Sequence, residues 1–275
     1  MTEPVSQDTD TGQLIDVTLK KERHQLKQQG LYLLLLLLVI AVCLWFTGLL
    51  DGERLSRGIP AIGVLISEMI PPDFSRWRAW LVPLLDTAAM SIAGTALAVF
   101  ISLPIAFLAA PNTSQNKTIR WFARMILNFF RAIPELIMGI VFVAAVGFGM
   151  LSGVLALGLH SVGMVGKFFA EAIEHAHPAP IEAAQAAGAS KLQVISHGVI
   201  PQVLPRFADV TMYRWEYNFR ASTVMGMVGA GGIGTDLIGS LRLLDYAQVG
   251  ALLIVILVAV AIVDGLSHLL RRRLS

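Results

Sequence analysis

Charged residues are scarce in this 275-residue chain. Asp, Glu, Lys and Arg make up 15% of the sequence and hydrophobic residues 55%, whereas a soluble domain usually carries about 25% charged residues. So few charges leave too little polar surface to keep a chain of this size in water. The alternative solvent is lipid, in which the backbone must be hydrogen-bonded within helices or a closed barrel. Because the apolar runs are long and do not alternate, they favour helices. The composition predicts an all-α membrane protein.

Several chemical groups are missing or nearly so. Cys43 is the only cysteine, so no disulfide within the chain supports the fold. His175 and His177 are the only close histidine pair and have no cysteine nearby, so we expect no metal site. The sequence contains no Walker-type lysine motif and no Ser/His/Asp set. We therefore expect no catalysis, no ATP hydrolysis and no bound cofactor in this chain.

Six apolar segments are long enough to cross a bilayer, which requires about 20 residues in a helix. The predicted spans are 31–50, 81–110, 133–150, a fourth that ends near residue 172, 207–228 and 249–270. The first resembles a secretory signal, but it is too long and lacks a small-residue cleavage site, so it is predicted to stay as an anchor. The expected organisation is an N-terminal tail at 1–30 (polar and without fixed structure over its first 20 residues), the anchor helix at 31–50, an external loop at 51–80 and a core at 81–275.

Basic residues are distributed unevenly between the predicted loops. Loop 111–131 contains four basic residues and no acid, and the chain ends with the basic run 271–273. In loop 51–80, by contrast, four acids offset four arginines. Because loops rich in Lys and Arg remain in the cytoplasm, we predict that both termini are cytoplasmic and that loop 51–80 is external.

Segment 178–205 is a polar break between the fourth and fifth spans. Residues 181–187 are Ala-rich and favour a helix. Gly188 can adopt the left-handed conformation that ends it, and Ser190 can cap a second short helix. Pro201 indicates the entry to the fifth span. The pattern predicts a helix–turn–helix at the cytoplasmic face, although an amphipathic segment lying in the membrane interface would also fit.

This segment resembles the cytoplasmic signature of ABC importer permeases: Glu-Ala-Ala, three residues, Gly, nine residues, Ile-x-Leu-Pro. The matching positions are Glu182, Ala183, Ala184, Gly188 and Pro201. Gly198 and Ile200 depart from the pattern, and Gly198 is expected to loosen the packing of the second short helix. The resemblance implies that segment 178–205 docks on an ATPase and carries nucleotide-driven motion to the spans.

Three further stretches resemble the phosphonate-type branch of these permeases. They are RAIPEL from Arg131, GVIPQVLP from Gly198 and YRWEYNFRASTVMGMVGAGGIG from Tyr213. The whole resemblance covers about residues 83–273. It implies a type I ABC importer permease of the bacterial inner membrane, with loop 51–80 in the periplasm, that moves a phosphonate, phosphite or hypophosphite.

The same resemblance implies the partners. They are an ATPase dimer that holds ATP and Mg, a second copy of the chain or a related permease, a periplasmic solute-binding protein and the lipid bilayer, with no nucleic acid. Methionine and other type I permeases share this layout, so an amino acid or another small solute is the alternative cargo. A secondary transporter is a further alternative, but it would need internal repeats, which the sequence does not show.

The fifth span carries polar side chains at Arg214, Glu216, Asn218 and Arg220. Such groups usually face the bundle interior or a water-filled cavity. Glu216 and Arg220 are one helical turn apart, which suits an ion pair, and Arg214 and Asn218 lie on a different face. One interpretation is structural, with that pair formed and Arg214 reaching the cytoplasmic interface. The other is that these residues line the path of a small oxyanion, which arginine binds through paired donors.

Two other features are interpreted as structural. Glu135 follows Pro134 at the start of the third span and is expected to be interfacial or to pair with Arg131, one turn earlier. The glycines of 226–234 lack the strand and helix that a dinucleotide site requires, so a closely packed or broken membrane helix is predicted there.

Overall fold

The computed structural model describes the backbone of residues 7–114 and 116–274 and the side chains of most of them. The described residues contain helices and no strand, as predicted. The α-helices are α1 (Gln7–Phe46), α2 (Gly52–Glu68), α3 (Leu81–Ala109), α4 (Lys117–Ala132), α5 (Glu135–Val146), α6 (Met150–Glu174), α7 (Pro178–Ala186), α8 (Lys191–Gln193), α9 (Ile200–Met225), α10 (Ile233–Arg242) and α11 (Tyr246–Leu274). A π-helical turn at Val194–Val199 joins α8 to α9, and a 3-10 turn at Gly226–Val228 follows α9.

The helices provide four to six candidate membrane spans. The helices long and apolar enough to cross a membrane alone are α3, α6, α11 and the part of α1 from Gln25 onward. Two bent pairs also qualify: α4 with α5, bent by 87°, and the stretch Lys191–Val228 with α10, bent by 46°. The count is six if each bent pair crosses once, in agreement with the sequence.

Residues 1–67 form one compact unit, which contains α1 and nearly all of α2. Because α1 begins at Gln7, the described part of the tail that was expected to lack fixed structure is helical; residues 1–6 lie outside the described part. Loop 51–80 was also predicted too simply, because it contains the 17-residue helix α2. Asp51 explains the start of α2, since its Oδ1 accepts hydrogen bonds from the backbone of Glu53 (3.1 Å) and Arg54 (3.2 Å).

Residues 68–275 form the second unit, and α6 lies at its centre, packed on α3, α4, α5 and α9. Small residues allow these close helix contacts. A Cβ atom added to Gly158 would lie 2.7 Å from Leu97 on α3, and one added to Gly163 would lie 2.6 Å from the backbone of Leu127 on α4. The spans therefore pack through glycines on α6, as expected where lipid supplies no hydrophobic driving force between helices.

The bend between α4 and α5 divides the third span. Ile133 and Pro134 have extended backbone (ψ 122° and 137°), because a residue that precedes proline avoids the helical region. Helix α4 occupies what was predicted as the loop 111–131. It exposes Trp121 and Phe122 beside basic residues, a composition that suits a helix lying along a membrane interface.

The glycine-rich segment after α9 is a sharp break in the helix, at which the chain bends by 46° before α10. Gly229, Gly231 and Gly232 have φ of +96°, +84° and +78°, a region that residues with a Cβ atom rarely adopt. Gly226 and Gly234 then cross so closely that a Cβ atom on Gly226 would lie 2.7 Å from the Gly234 backbone. The predicted broken helix is confirmed.

Candidate coupling segment and polar groups of the fifth span

The coupling segment, residues 178–205, begins with the predicted helix–turn–helix. Helix α7 ends at a turn in which Gly188 has φ +79°. The backbone N–H of Gly188 donates to the carbonyl of Gln185 at 2.9 Å. A capping box follows, in which Ser190 and Gln193 satisfy each other's backbone groups. The predicted roles of Gly188 as a helix terminator and Ser190 as a cap are confirmed.

The second helix of the segment differs from the prediction. Its α-helical part covers Lys191–Gln193 and runs through the π-helical turn directly into α9. Gly198 does not loosen the packing, because a Cβ atom there would lie 3.2 Å from Cα of Ile181. The missing side chain instead lets α7 approach the start of the fifth span.

Gln202 joins α7 to α9, a role that the sequence pattern did not reveal. Its Oε1 accepts a hydrogen bond from the backbone N–H of His177 at 2.8 Å, and its Nε2 donates to the carbonyls of His177 (3.3 Å) and Gly198. His177 in turn caps α7, since its Nδ1 accepts from Ala179 at 3.3 Å. These hydrogen bonds join the start of α7 to the first turn of α9.

The residues that match the permease signature lie on the outside of this unit. Glu182, Ala183, Gly188 and Pro201 are exposed, and Ala184 is half-buried. Leu192, just after the turn, is 79% exposed. A large apolar side chain next to small residues and one carboxylate forms a surface suited to a protein partner. Leu192 carried no motif and was not singled out from the sequence.

Inside the bundle, Asn218 connects three spans. Its Nδ2 donates to Thr95 Oγ1 of α3 at 2.9 Å, and its Oδ1 accepts from Ser161 Oγ of α6 at 3.0 Å. All three side chains are buried. Since each polar group has a partner, the network fixes α9 against α3 and α6.

Arg214 is also buried, with 1% of its surface exposed. Its Nε donates to Ser161 at 2.7 Å and its Nη1 to the sulfur of Met164 at 3.4 Å. The guanidinium carbon lies 4.1 Å from the ring centroid of Tyr217, a cation–π contact. Within the described residues, Nη2 has no hydrogen-bond partner. The interpretation that Arg214 reaches the cytoplasmic interface is wrong, because α6 covers its face of α9.

Glu135 lies beside this cluster. Its Oε2 is 3.8 Å from Nε2 of His160. The predicted pair with Arg131 is not formed, and Arg131 donates to Asn128 at 3.3 Å instead. The one-turn spacing between Arg131 and Glu135 is lost because the chain bends between α4 and α5.

The predicted Glu216–Arg220 pair is also replaced, since both residues pair with α11. Glu216 bonds Arg271, and Nη1 of Arg220 lies 3.0 and 3.2 Å from the two oxygens of Asp264. Helix α11 packs on this face of α9 and brings its own charged groups. The prediction that Arg214 and Asn218 lie on a different face of α9 from Glu216 and Arg220 is confirmed.

Within the second unit, candidate spans pack around α6, an exposed helix–turn–helix interrupts them, and polar side chains are buried inside the fifth span. These features define a membrane protein that crosses the bilayer several times and has a polar bundle interior. Comparison with known proteins agrees. Residues 102–275 match the family described as binding-protein-dependent transport system inner membrane component. The chain belongs to this family of inner-membrane transport subunits.

Individual relatives indicate which kinds of permease the chain is similar to. The chain is 62% identical over 234 residues to the phosphite transport system permease protein PtxC of Stutzerimonas stutzeri, covering 85% of each protein. It is 40% identical over 226 residues to the phosphate-import permease protein PhnE of Mycolicibacterium smegmatis, covering 82% of this chain and 41% of PhnE. The fold is that of a chain in the inward-facing MetNI methionine ABC transporter. The match has a TM-score of 0.64 and 22% identity and covers 73% of this chain and 99% of the transporter chain.

Proposed function

We propose that this chain is the permease subunit of an ATP-driven importer of a small phosphorus oxyanion, phosphite being the first candidate. The observation that carries the proposal is the 62% identity to a phosphite permease over 85% of both chains. The helix–turn–helix offers a docking segment for a partner, and the buried polar network fixes α9 against α3 and α6. Phosphate is the second candidate cargo, because another relative is a phosphate-import permease.

An ATPase dimer is the proposed partner at the coupling segment, and ATP and Mg are held there rather than in this chain. Glu182 offers a carboxylate and Leu192 an apolar anchor, while Ala183 and Gly188 let a partner approach the backbone closely. Nucleotide-driven movement of α7 then reaches α9 through Gln202.

Both termini are proposed to be cytoplasmic, on the strength of the basic loops. In a chain without Cys43, Ser75→Cys is expected to react with a membrane-impermeant thiol reagent added to intact cells. Ser196→Cys, exposed on the coupling segment, is expected to react only after the membrane is opened. Labelling of Ser196→Cys from outside would reverse the proposed orientation.

The translocation path is proposed to run along the joint face of α9 and α11, where Glu216 pairs with Arg271 and Arg220 pairs with Asp264. The side chains of Arg220 and Asp264 are 44% and 45% exposed, and Asp264 is seven residues, or about 10 Å, from Arg271 along α11. An ion pair facing lipid at that depth would be costly. A second copy of the chain, or a related permease, therefore covers this face and shares the polar route.

Arg214 and Asn218 are proposed to act from behind this face. Both are buried and bond residues of α3 or α6, so they fix the position of the helix that presents Arg220. A periplasmic binding protein delivers the anion, as the family description implies.

The proposed function is tested by phosphite uptake in cells that express the chain with its ATPase and binding protein. Phosphite is expected to accumulate in an ATP-dependent manner, and Gly188→Val is expected to reduce uptake at least about fivefold, because a β-branched residue at φ +79° costs about 1–3 kcal/mol of strain in the turn. Gly188→Asn is the matched control, since asparagine tolerates this conformation.

Uptake at the normal rate by Gly188→Val would remove the segment from the coupling mechanism. Transport of phosphate but not phosphite would leave the permease assignment intact and change the cargo.

A further inference from the structure

A pocket of about 390 Å³ opens between the first turns of α9 and the last turns of α11. The polar side chains that line it are Gln202, Arg206, Asp209, His268, Arg271 and Arg272. Arg206, His268 and Arg272 lie outside the permease signature, and the proposed transport mechanism does not use them. Three guanidinium groups and one carboxylate make its lining predominantly basic.

Asp209, the carboxylate in the lining, does not saturate Arg206. Arg206 donates to Asp209 at 2.7 Å, and Arg271 pairs with Glu216 and lies 3.7 Å from Asp209. A guanidinium has five N–H donors, so Arg206 retains donors after one bond to Asp209. Arg272 at the rim is exposed. Several guanidinium groups converging on one pocket are suited to an oxyanion such as phosphate.

The position of the pocket indicates where the oxyanion comes from. Helix α11 is a candidate span that ends at Arg273 with three arginines, so the pocket lies at the level of the lipid headgroups. Pro205, which lines the pocket, is exposed, as is Leu269 next to His268 on α11. A free anion would make no favourable contact with this apolar surface, whereas the acyl chains of a phospholipid would cover it.

We propose that this pocket binds the phosphate group of an anionic phospholipid, with Arg206 and Arg272 as donors and with Pro205 and Leu269 against the acyl chains. The bound lipid holds the end of α11 to the start of α9, next to Gln202. The binding itself requires neither ATP nor cargo, so it can be tested independently of the proposed function.

The test is native mass spectrometry of the purified full-length chain in detergent, titrated with short-chain phosphatidylglycerol or phosphatidylcholine. Phosphatidylglycerol is expected to bind in preference. Arg206→Gln and Arg272→Gln are each expected to weaken its binding about fivefold, the effect of one basic residue at a membrane surface. Arg273→Gln is the matched control, because Arg273 is also exposed at the same helix end but does not line the pocket.

Three results would overturn the proposal. Equal binding of both lipids would exclude a headgroup site, and equal weakening by Arg273→Gln would indicate diffuse attraction to the basic terminus. Displacement of phosphatidylglycerol by inorganic phosphate alone would identify the occupant as a free oxyanion. If Arg206→Gln disturbs folding through the loss of its bond to Asp209, the exposed Arg272 still decides the question.

Discussion

Replacing Gly234 with alanine is expected to prevent the chain from reaching its native packing. The new Cβ atom would overlap the carbonyl oxygen of Thr223 and lie 2.9 Å from its carbonyl carbon, so the backbones of α9 and α10 would have to separate. No flexible side chain is available to yield at this crossing. We expect a loss of about 3 kcal/mol or more, at the upper end of overpacking costs, measured as a lower thermal midpoint and a smaller monodisperse fraction in detergent.

Gly239→Ala is the matched control, because it lies in the same helix and its added Cβ atom would meet no atom within 4 Å. A glycine replaced by alanine within an exposed part of a helix gains up to about 1 kcal/mol, so this variant should be at least as stable as the native chain. Equal stability of the two variants would mean that α9 and α10 do not cross at Gly226 and Gly234.

Neutralising one partner of the Arg220–Asp264 pair is expected to impair both assembly and transport. Arg220→Gln or Asp264→Asn leaves a charge without its partner inside the membrane. Because the pair is half-exposed rather than buried, we expect a cost of about 1–3 kcal/mol, below that of breaking a fully buried pair. The measurements are the thermal midpoint of the purified protein and phosphite uptake in cells.

The double variant Arg220→Gln with Asp264→Asn separates structure from transport. If the pair only joins α9 to α11, removing both charges restores stability and uptake together. If Arg220 belongs to the anion path, stability recovers while uptake stays low. Glu216→Gln with Arg271→Gln is the comparison on the same two helices, since that pair is less exposed. Full uptake by a stable Arg220/Asp264 double variant would exclude Arg220 from the path.

The coupling segment could be predicted almost residue by residue because the interactions that shape it are local. Gly188 ends α7 through its own backbone conformation, and Ser190 and Gln193 cap each other across three residues. Such contacts depend on neighbours in the sequence, which a motif records directly. The contacts of Gln202 and Gly198 with α7 link positions up to 25 residues apart, and no local pattern indicated them.

Two ion pairs between residues four apart were predicted wrongly for the same reason. One-turn spacing makes Glu216–Arg220 and Arg131–Glu135 possible in an isolated helix. Spacing says nothing about a helix that packs on the same face with charges of its own, as α11 does, or about a bend like that before α5. Each charge takes the partner that the folded bundle brings nearest.

By itself, the sequence determined that the chain is helical, that it enters a membrane through about six apolar segments, and where a helix–turn–helix interrupts them. These properties follow from composition, apolar run length and capping residues, which act within a few residues of one another. Tertiary structure alone decided that α6 forms the centre, that Arg214 is buried against Tyr217, and that Arg220 bonds Asp264 rather than Glu216. The physical reason is that burial and ion pairing depend on distances between helices. Those distances are set by glycines at the helix crossings and by the bends at Pro134 and Gly226–Gly232. The glycines and bends have this effect only when the spans pack together.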